Sequence, residues 1–411
     1  MRVKVASLVV RVAAICAVLG LSLLPARAAT LVVNTTDDVI DSNGCTTAHC
    51  SLREALTAAN NLATADTIAF RIPTSDSNFT GGVFRIRPTG QLPSLWSFRS
   101  SGTVIDGAAQ TAFTGNTNVS GPAIQINGSL AGAVNGIILK SANCLVRGLV
   151  INGFKHNAIR ISGVSAQNNK VHGCYLGTNA AGTGAAPNGS FGILLTDGST
   201  ATVIGGADAG KRNVISGNLG AGITIDFGST GNIVLGNYIG TNAAGNAAIR
   251  NGSLNLMSGG VVIRSGTNDI GTALSGAGNL LSGNGRYGVL MAFGATSGNR
   301  VRGNLIGTNA TGTAAIPNGL AGVCLLGTSN NLIGGALSLA SNTISGNARY
   351  GVLIAGGLTN NVQGNFIGTN SAGTGRVANG YAGVGLTALA QSHTIGGTEA
   401  GKRNVISGNG R

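Results

Sequence analysis

Seven residues constrain this chain more than any others: Gly-Asn-Phe-Ile-Gly-Thr-Asn at 364–370. Near-copies stand at 236–242 and 303–309, and a diverged copy, GCYLGTN, at 173–179. A sister motif, Asn-x-[Ile/Leu]-Ser-Gly-Asn, alternates with it at 213–218, 279–284, 342–347 and 404–409. Both reduce to Asn-x-[Ile/Leu]-x-x-Asn, a short strand with one buried aliphatic between two asparagines. A chain that writes one strand repeatedly folds as an array in which each unit packs on its neighbours.

A third motif, Gly-[Val/Ile]-x-[Ile/Leu/Met], begins at 192, 222, 260, 288, 322, 351 and 383. The intervals average about 30 residues, and two alternating units make a super-repeat of about 63. Each unit carries three short strands, as in Gly351–Ile354, Asn361–Gly364 and Asn365–Thr369. Three strands per unit suit one turn of a parallel β-helix, each strand pairing with its equivalent one coil along at about 4.8 Å. A leucine-rich repeat would need LxxLxL, which is absent, and a propeller would need four antiparallel strands per blade. Glycine, 69 of 411 residues, has no Gly-X-Y period and belongs to turns instead of collagen. The expected fold is all-β: a right-handed parallel β-helix of roughly nine to ten coils over 101–411, preceded by a small N-terminal cap at 29–100 with one short helix.

Stacked coils give the asparagines a role. An inward Asn amide can donate to the Asn one coil away and accept from the other side, sparing a buried polar group an unpaired cost of about 1–3 kcal/mol. Two ladders are expected. The first holds Asn213, Asn237, Asn279, Asn304, Asn342, Asn365 and Asn404; the second holds Asn179, Asn218, Asn242, Asn284, Asn309, Asn347, Asn370 and Asn409. Cys174 takes a first-ladder position.

The first 28 residues read as a secretory signal, with Arg2, Lys4 and Arg11, an apolar run from Val12 to Leu24, and a small-x-small site at Ala26-Arg27-Ala28. The mature chain is then expected outside the cell or on its surface, without a membrane span. Ser51-Leu52-Arg53-Glu54 is a capping box, and Leu52, Ala55, Leu56 and Ala59 follow on one helical face. The run Cys50-Ser51-Leu52-Arg53-Glu54-Ala55, preceded by TLVVNTTDD and Cys45, resembles the CSLREA-type N-terminal domain of secreted bacterial repeat proteins. That resemblance implies a cap ahead of a β-helix. The repeat region resembles the pectin-lyase-like superfamily of right-handed β-helices.

Chemistry is harder to place. The superfamily's lyases and hydrolases use grouped acids, yet the coil region holds only Asp106, Asp197, Asp208, Asp226, Asp269 and Glu399. Asp226 and Arg264 fall one coil apart and read as a surface ion pair, with Asp197 offset by one. His172 and Lys170 near Arg147 and Arg160 are the one imaginable base, without a register to support it. No catalytic residue is assigned. Cys45 and Cys50 with His49 offer too few ligands for zinc, and an exported compartment favours a disulfide. Asp37, Asp38, Asp41 and Asn43 match no calcium loop, so no metal and no cofactor are expected.

Two surface features stand out. Arg286-Tyr287, Arg349-Tyr350 and Arg411 follow the second-ladder asparagine on alternate coils, about 10 Å apart, a spacing suited to an extended acidic glycan. The outward position of the third motif carries Leu194, Thr224, Val262, Leu290, Cys324 and Leu353, an apolar stripe that needs a cover. Without the leader, 22 basic residues face 12 acidic ones, a net charge of +10 that suits polyanions. Acidic polysaccharide or cell-surface glycan is the expected partner, and no nucleic acid. The motif at 404–409 breaks off before its usual Tyr-Gly-Val, so further coils or a partner are expected over that edge. The scarcity of acids favours a non-catalytic structural or adhesive rod, with a polysaccharide lyase or glycoside hydrolase as the alternative.

Overall fold

The computed structural model describes residues 28–62, 64–96, 100–252, 257–293, 296–387 and 389–410. Residues 1–27, on which the expected leader falls, and Arg411 lie outside them. Within them the chain winds as a right-handed parallel β-helix, the hand that crossovers between parallel strands adopt. Two sheets have twelve strands and the third has nine. Sheet one runs from Thr30–Val33 to Thr394–Ile395, sheet two from Phe79–Thr80 to Val405–Ile406, and sheet three from Ala382–Leu386 back to Ile137–Leu139. Strand pairing is parallel throughout, except for the hairpin joining Phe79–Thr80 to Val83–Ile86. Strands of the N-terminal segment are the first members of sheets one and two, so that segment stacks beneath the coils as part of the same ladder.

Alternation puts one residue per short strand into the core. Val146, Val171, Ile204, Val234, Ile270, Val301, Ile333 and Val362 fill it from sheet one, each wholly buried. They belong to one continuous apolar cluster that reaches from Val33 to Ile367. Helix α1 (Leu52–Asn61) has its full capping box: Ser51 Oγ accepts from Glu54 N at 3.2 Å and Glu54 Oε2 accepts from Ser51 N at 2.8 Å. A second helix, α2 (Ala108–Thr114), lacks any side-chain N-cap. It is held instead by buried Gln110, which bonds both Ile72 N and Ile72 O.

Asn213, Asn237, Asn279, Asn304, Asn342, Asn365 and Asn404 are linked amide to amide in unbroken series, at 2.8–3.1 Å. The backbone N–H of Cys174 donates to Asn213 Oδ1, closing the series at that end. The second series differs from the expected one. It runs through Asn188, Asn218, Asn251, Asn284, Asn318, Asn347, Asn379 and Asn409. Asn179, Asn242, Asn309 and Asn370 are outside it, each accepting from backbone N–H groups four or five residues ahead. The cause is a hairpin inserted in alternate coils, marked by antiparallel bridges Thr178 to Ala185, Thr241 to Ala248, Thr308 to Ala315 and Thr369 to Arg376. The chain returns to the corner nine residues late, where a second asparagine takes the inward place. A third series, not expected, joins Asn232, Asn268, Asn299, Asn331 and Asn360 at the turn into sheet one.

The stripe on sheet three points outward; Leu194 is half-buried, and the members from Val262 onward are covered. Val262, Leu290, Cys324 and Leu353 form a cluster apart from the main core, with Tyr287 in it and Phe191, Met257, Leu320 and Tyr350 packed against it.

Candidate functional site

Sheet one ends at a sharp corner before sheet two, and the first coils make that corner concave. Gly148 and Gly173 turn it with φ of 67° and 65°. A Cβ on Gly148 would stand 2.7 Å from Ala108 N, so the corner permits no side chain there. On the last outward position of sheet one, Asp106, Arg147 and His172 are register partners on three successive coils. Strand spacing therefore stacks them at about 4.8 Å intervals. Facing them across the corner are Tyr175 of sheet two and Lys211 and Arg212, which precede the next strand of that sheet. All but Asp106 line a cleft of ≈ 470 Å³.

The cleft is basic. Arg147 grips Asp106 through two hydrogen bonds, Nε to Oδ1 at 2.8 Å and Nη2 to Oδ2 at 2.7 Å. Lys211 reaches Asp208 at 2.8 Å in an exposed pair that solvent screens. Arg212 stacks over the Tyr238 ring at 4.2 Å and makes no ion pair among the described residues. Burial and the charges of Arg147, Lys211 and Lys170 hold the His172 pKa below its ordinary value. The ring is thus neutral at ordinary pH and free to accept a proton. Burial pushes the Tyr175 phenol up, partly offset by Arg212, and its hydroxyl donates to Ser120 O at 2.9 Å. A second basic hollow of ≈ 380 Å³ lies at the far ends of the same sheet-two strands, lined by Arg85, Arg87, Gln125 and Asn127 among others.

Sequence reasoning named Arg147 and His172 but had no register for them. It missed Tyr175, Lys211 and Arg212, although the repetition of Ala-Gly-Lys-Arg-Asn-Val-Ile-Ser-Gly-Asn at 209–218 and 400–409 marks the last two. Lys170 and Arg160 are elsewhere: Lys170 begins its strand at the opposite end from His172, and Arg160 pairs with Asp197 on sheet three at 3.0 Å. Arg264 pairs with Asp226, also at 3.0 Å.

The arginine–tyrosine pairs divide. Tyr287 and Tyr350 share one register position two coils apart. Tyr287 is buried with Arg286 5.6 Å above its ring, while Arg349 is exposed and Tyr350 meets Tyr381 edge-on at 5.3 Å. Cys45 and Cys50 form a disulfide. Cys144, Cys174 and Cys324 are buried thiols, pushed up by burial to about 11, about 12 and about 12. In the Asp37–Asn43 segment, Asp38 accepts two hydrogen bonds from Arg53 and Asp37 contacts His49.

No protein-family model and no curated protein matches the chain. Among solved structures it is similar to a periplasmic alginate epimerase at 14% identity and TM-score 0.37, covering 80% of this chain and 59% of that one. It is also similar to the A-module of an Azotobacter vinelandii mannuronan C-5 epimerase, at 15% identity and TM-score 0.40 over 92% of this chain and 96% of that one. A third is an alginate lyase from Paenibacillus, at 13% identity and TM-score 0.32 over 89% and 98% of the two chains.

Proposed function

We propose that the protein is an exported β-helix that binds an acidic polysaccharide in the corner cleft and removes a proton from it, as a lyase does. The observation that carries this reading is His172, held neutral among the cations of a concave basic cleft. Arg147, Lys211 and Arg212 would neutralise a uronate carboxylate and so acidify the adjacent C–H. His172 would take that proton as general base while the neighbouring bond to the glycosidic oxygen breaks, a C=C bond forms and the leaving oxygen is protonated by water. Hydrolysis fits less well, because it asks for two carboxyl groups flanking the bond. Asp106 is near the cleft, but both its oxygens are engaged by Arg147.

One contact favours a non-catalytic glycan-binding rod as the second reading. The Tyr175 hydroxyl already donates to Ser120 O, which leaves no ready acid for a leaving group. Incubation with a panel of polyuronates, read by unsaturated chain ends, decides between the two. Products formed by the wild type and lost in H172A, with retention on a polyuronate column unchanged, support the lyase. Retention without products, lost in K211A/R212A, supports the rod. Neither retention nor products would reject both.

A further inference from the structure

Outside the cleft, the loop from Asn34 to Cys50 folds over the first turn of α1 and is closed by the Cys45–Cys50 disulfide. His49 stands there among three carboxylates. On one side both oxygens of Asp37 lie 3.2 Å from Nε2. On the other, Nδ1 is 3.0 Å from Glu54 Oε2 and 3.5 Å from Asp41 Oδ2. Nδ1 is shielded from solvent yet makes no hydrogen bond of acceptable geometry. Asp37 favours the tautomer with its proton on Nε2, which turns an Nδ1 lone pair toward two anions. A cation between them would relieve that opposition.

The anions are held in place. The Glu54 side chain is 1% exposed and accepts from Asp41 N and Ser51 N, both at 2.8 Å. Asp41 Oδ1 accepts from Asn43 N at 2.7 Å, leaving Oδ2 on the His49 side. A carboxylate behind an imidazole whose other nitrogen faces fixed donors is the order found around protein-bound zinc. The spot attracts cations.

We propose that Asp41, His49 and Glu54 form a binding site for a divalent transition-metal ion of the zinc class, with Asp37 orienting the imidazole. The three donor atoms lie within 4.8 Å of one another. Zinc with nitrogen and oxygen ligands at about 2.0–2.2 Å spaces its tetrahedral donors about 3.4 Å apart, so a small closure completes the set. One imidazole and two carboxylates suit zinc better than calcium, which takes six to eight oxygens. The disulfide removes Cys45 and Cys50 from the ligand set. The ion would tie the loop to α1, independently of any polysaccharide activity.

Chelator-treated, oxidised protein titrated with zinc chloride in a calorimeter tests this, with the melting temperature recorded in parallel. The wild type and H172A should each bind one equivalent and melt higher with zinc. D41N and H49Q should lose at least tenfold in affinity and most of that rise, and D37N should weaken binding less. Glu54 is left unaltered because it caps α1, and circular dichroism of D41N verifies its fold. Binding in D41N and H49Q equal to wild type, loss confined to H172A, or no zinc uptake by the wild type would each overturn the site and leave a proton as the charge on His49.

Discussion

Asn279 shows how much one side chain does for a coil. Its Oδ1 accepts from Asn237 Nδ2 and N, and its Nδ2 donates to Asn304 Oδ1 and Val234 O. Asn279→Ala strands buried partners on both sides and should cost about 2–3 kcal/mol in urea denaturation. Asn318→Ala should cost a similar amount, whereas Asn309→Ala, confined to an exposed loop, should cost under about 1 kcal/mol. Equal losses at 309 and 318 would mean the series passes elsewhere. The first series was legible because its motif fixes the strand beside each asparagine. The second was half legible, since Asn309 and Asn284 occupy equivalent motif positions and only the hairpin separates them. The repeated Asn-Gly at 188, 251, 318 and 379 was the available signal. His172 carries a pH prediction. Its pKa is lowered in the fold, so between that value and about 6.5 the unfolded chain binds more protons. Stability is therefore full above about 6.5 and falls as pH drops toward the folded value, and H172Q should flatten that decline in melting temperature measured from about pH 7 downward.

At the scale of elements, each inserted hairpin accounts for nine residues of the alternating interval, the remainder lying in the longer turn from sheet one into sheet two, and it covers the ring on its own strand, as at Tyr238 and Phe366. Successive first-series asparagines are 24, 42, 25, 38, 23 and 39 residues apart, short without a hairpin and long with one. Each hairpin lies back over the outer face of its own strand. Gly245 does so with φ of 67°, and a Cβ there would come within 2.8 Å of the Tyr238 ring. Gly245→Val should lower stability by about 1–3 kcal/mol, while Gly210→Ala, with open space and an ordinary φ, should leave the melting temperature nearly unchanged. Helix α1 was legible because its cap is written in four consecutive residues. Helix α2 was not, because it has no capping side chain and only Gln110 of its seven residues is buried.

The molecule as a whole is a stack whose contacts are between neighbouring coils, so a unit can be removed without reaching the rest. Deleting residues 280–342 joins Asn279 to Thr343 in register and should leave a folded β-rich protein, read by circular dichroism, with a lower melting temperature. Loss of folded structure would mean the coils are not interchangeable. The cleft was beyond the sequence for the same reason that the later coils were within it. Asp106, Arg147 and His172 are 41 and 25 residues apart in coils where the repeated motifs are absent or diverged, so nothing in the chain announces that they share an edge. The asparagine series carry one further consequence. In all three, each Nδ2 donates to the Oδ1 of the asparagine later in the chain, never the reverse. Backbone dipoles in a sheet largely cancel, but these amide dipoles point the same way and reinforce one another. The solenoid is electrically a vector, its two tips of opposite polarisation, and it should align head-first in an applied field or before a charged surface.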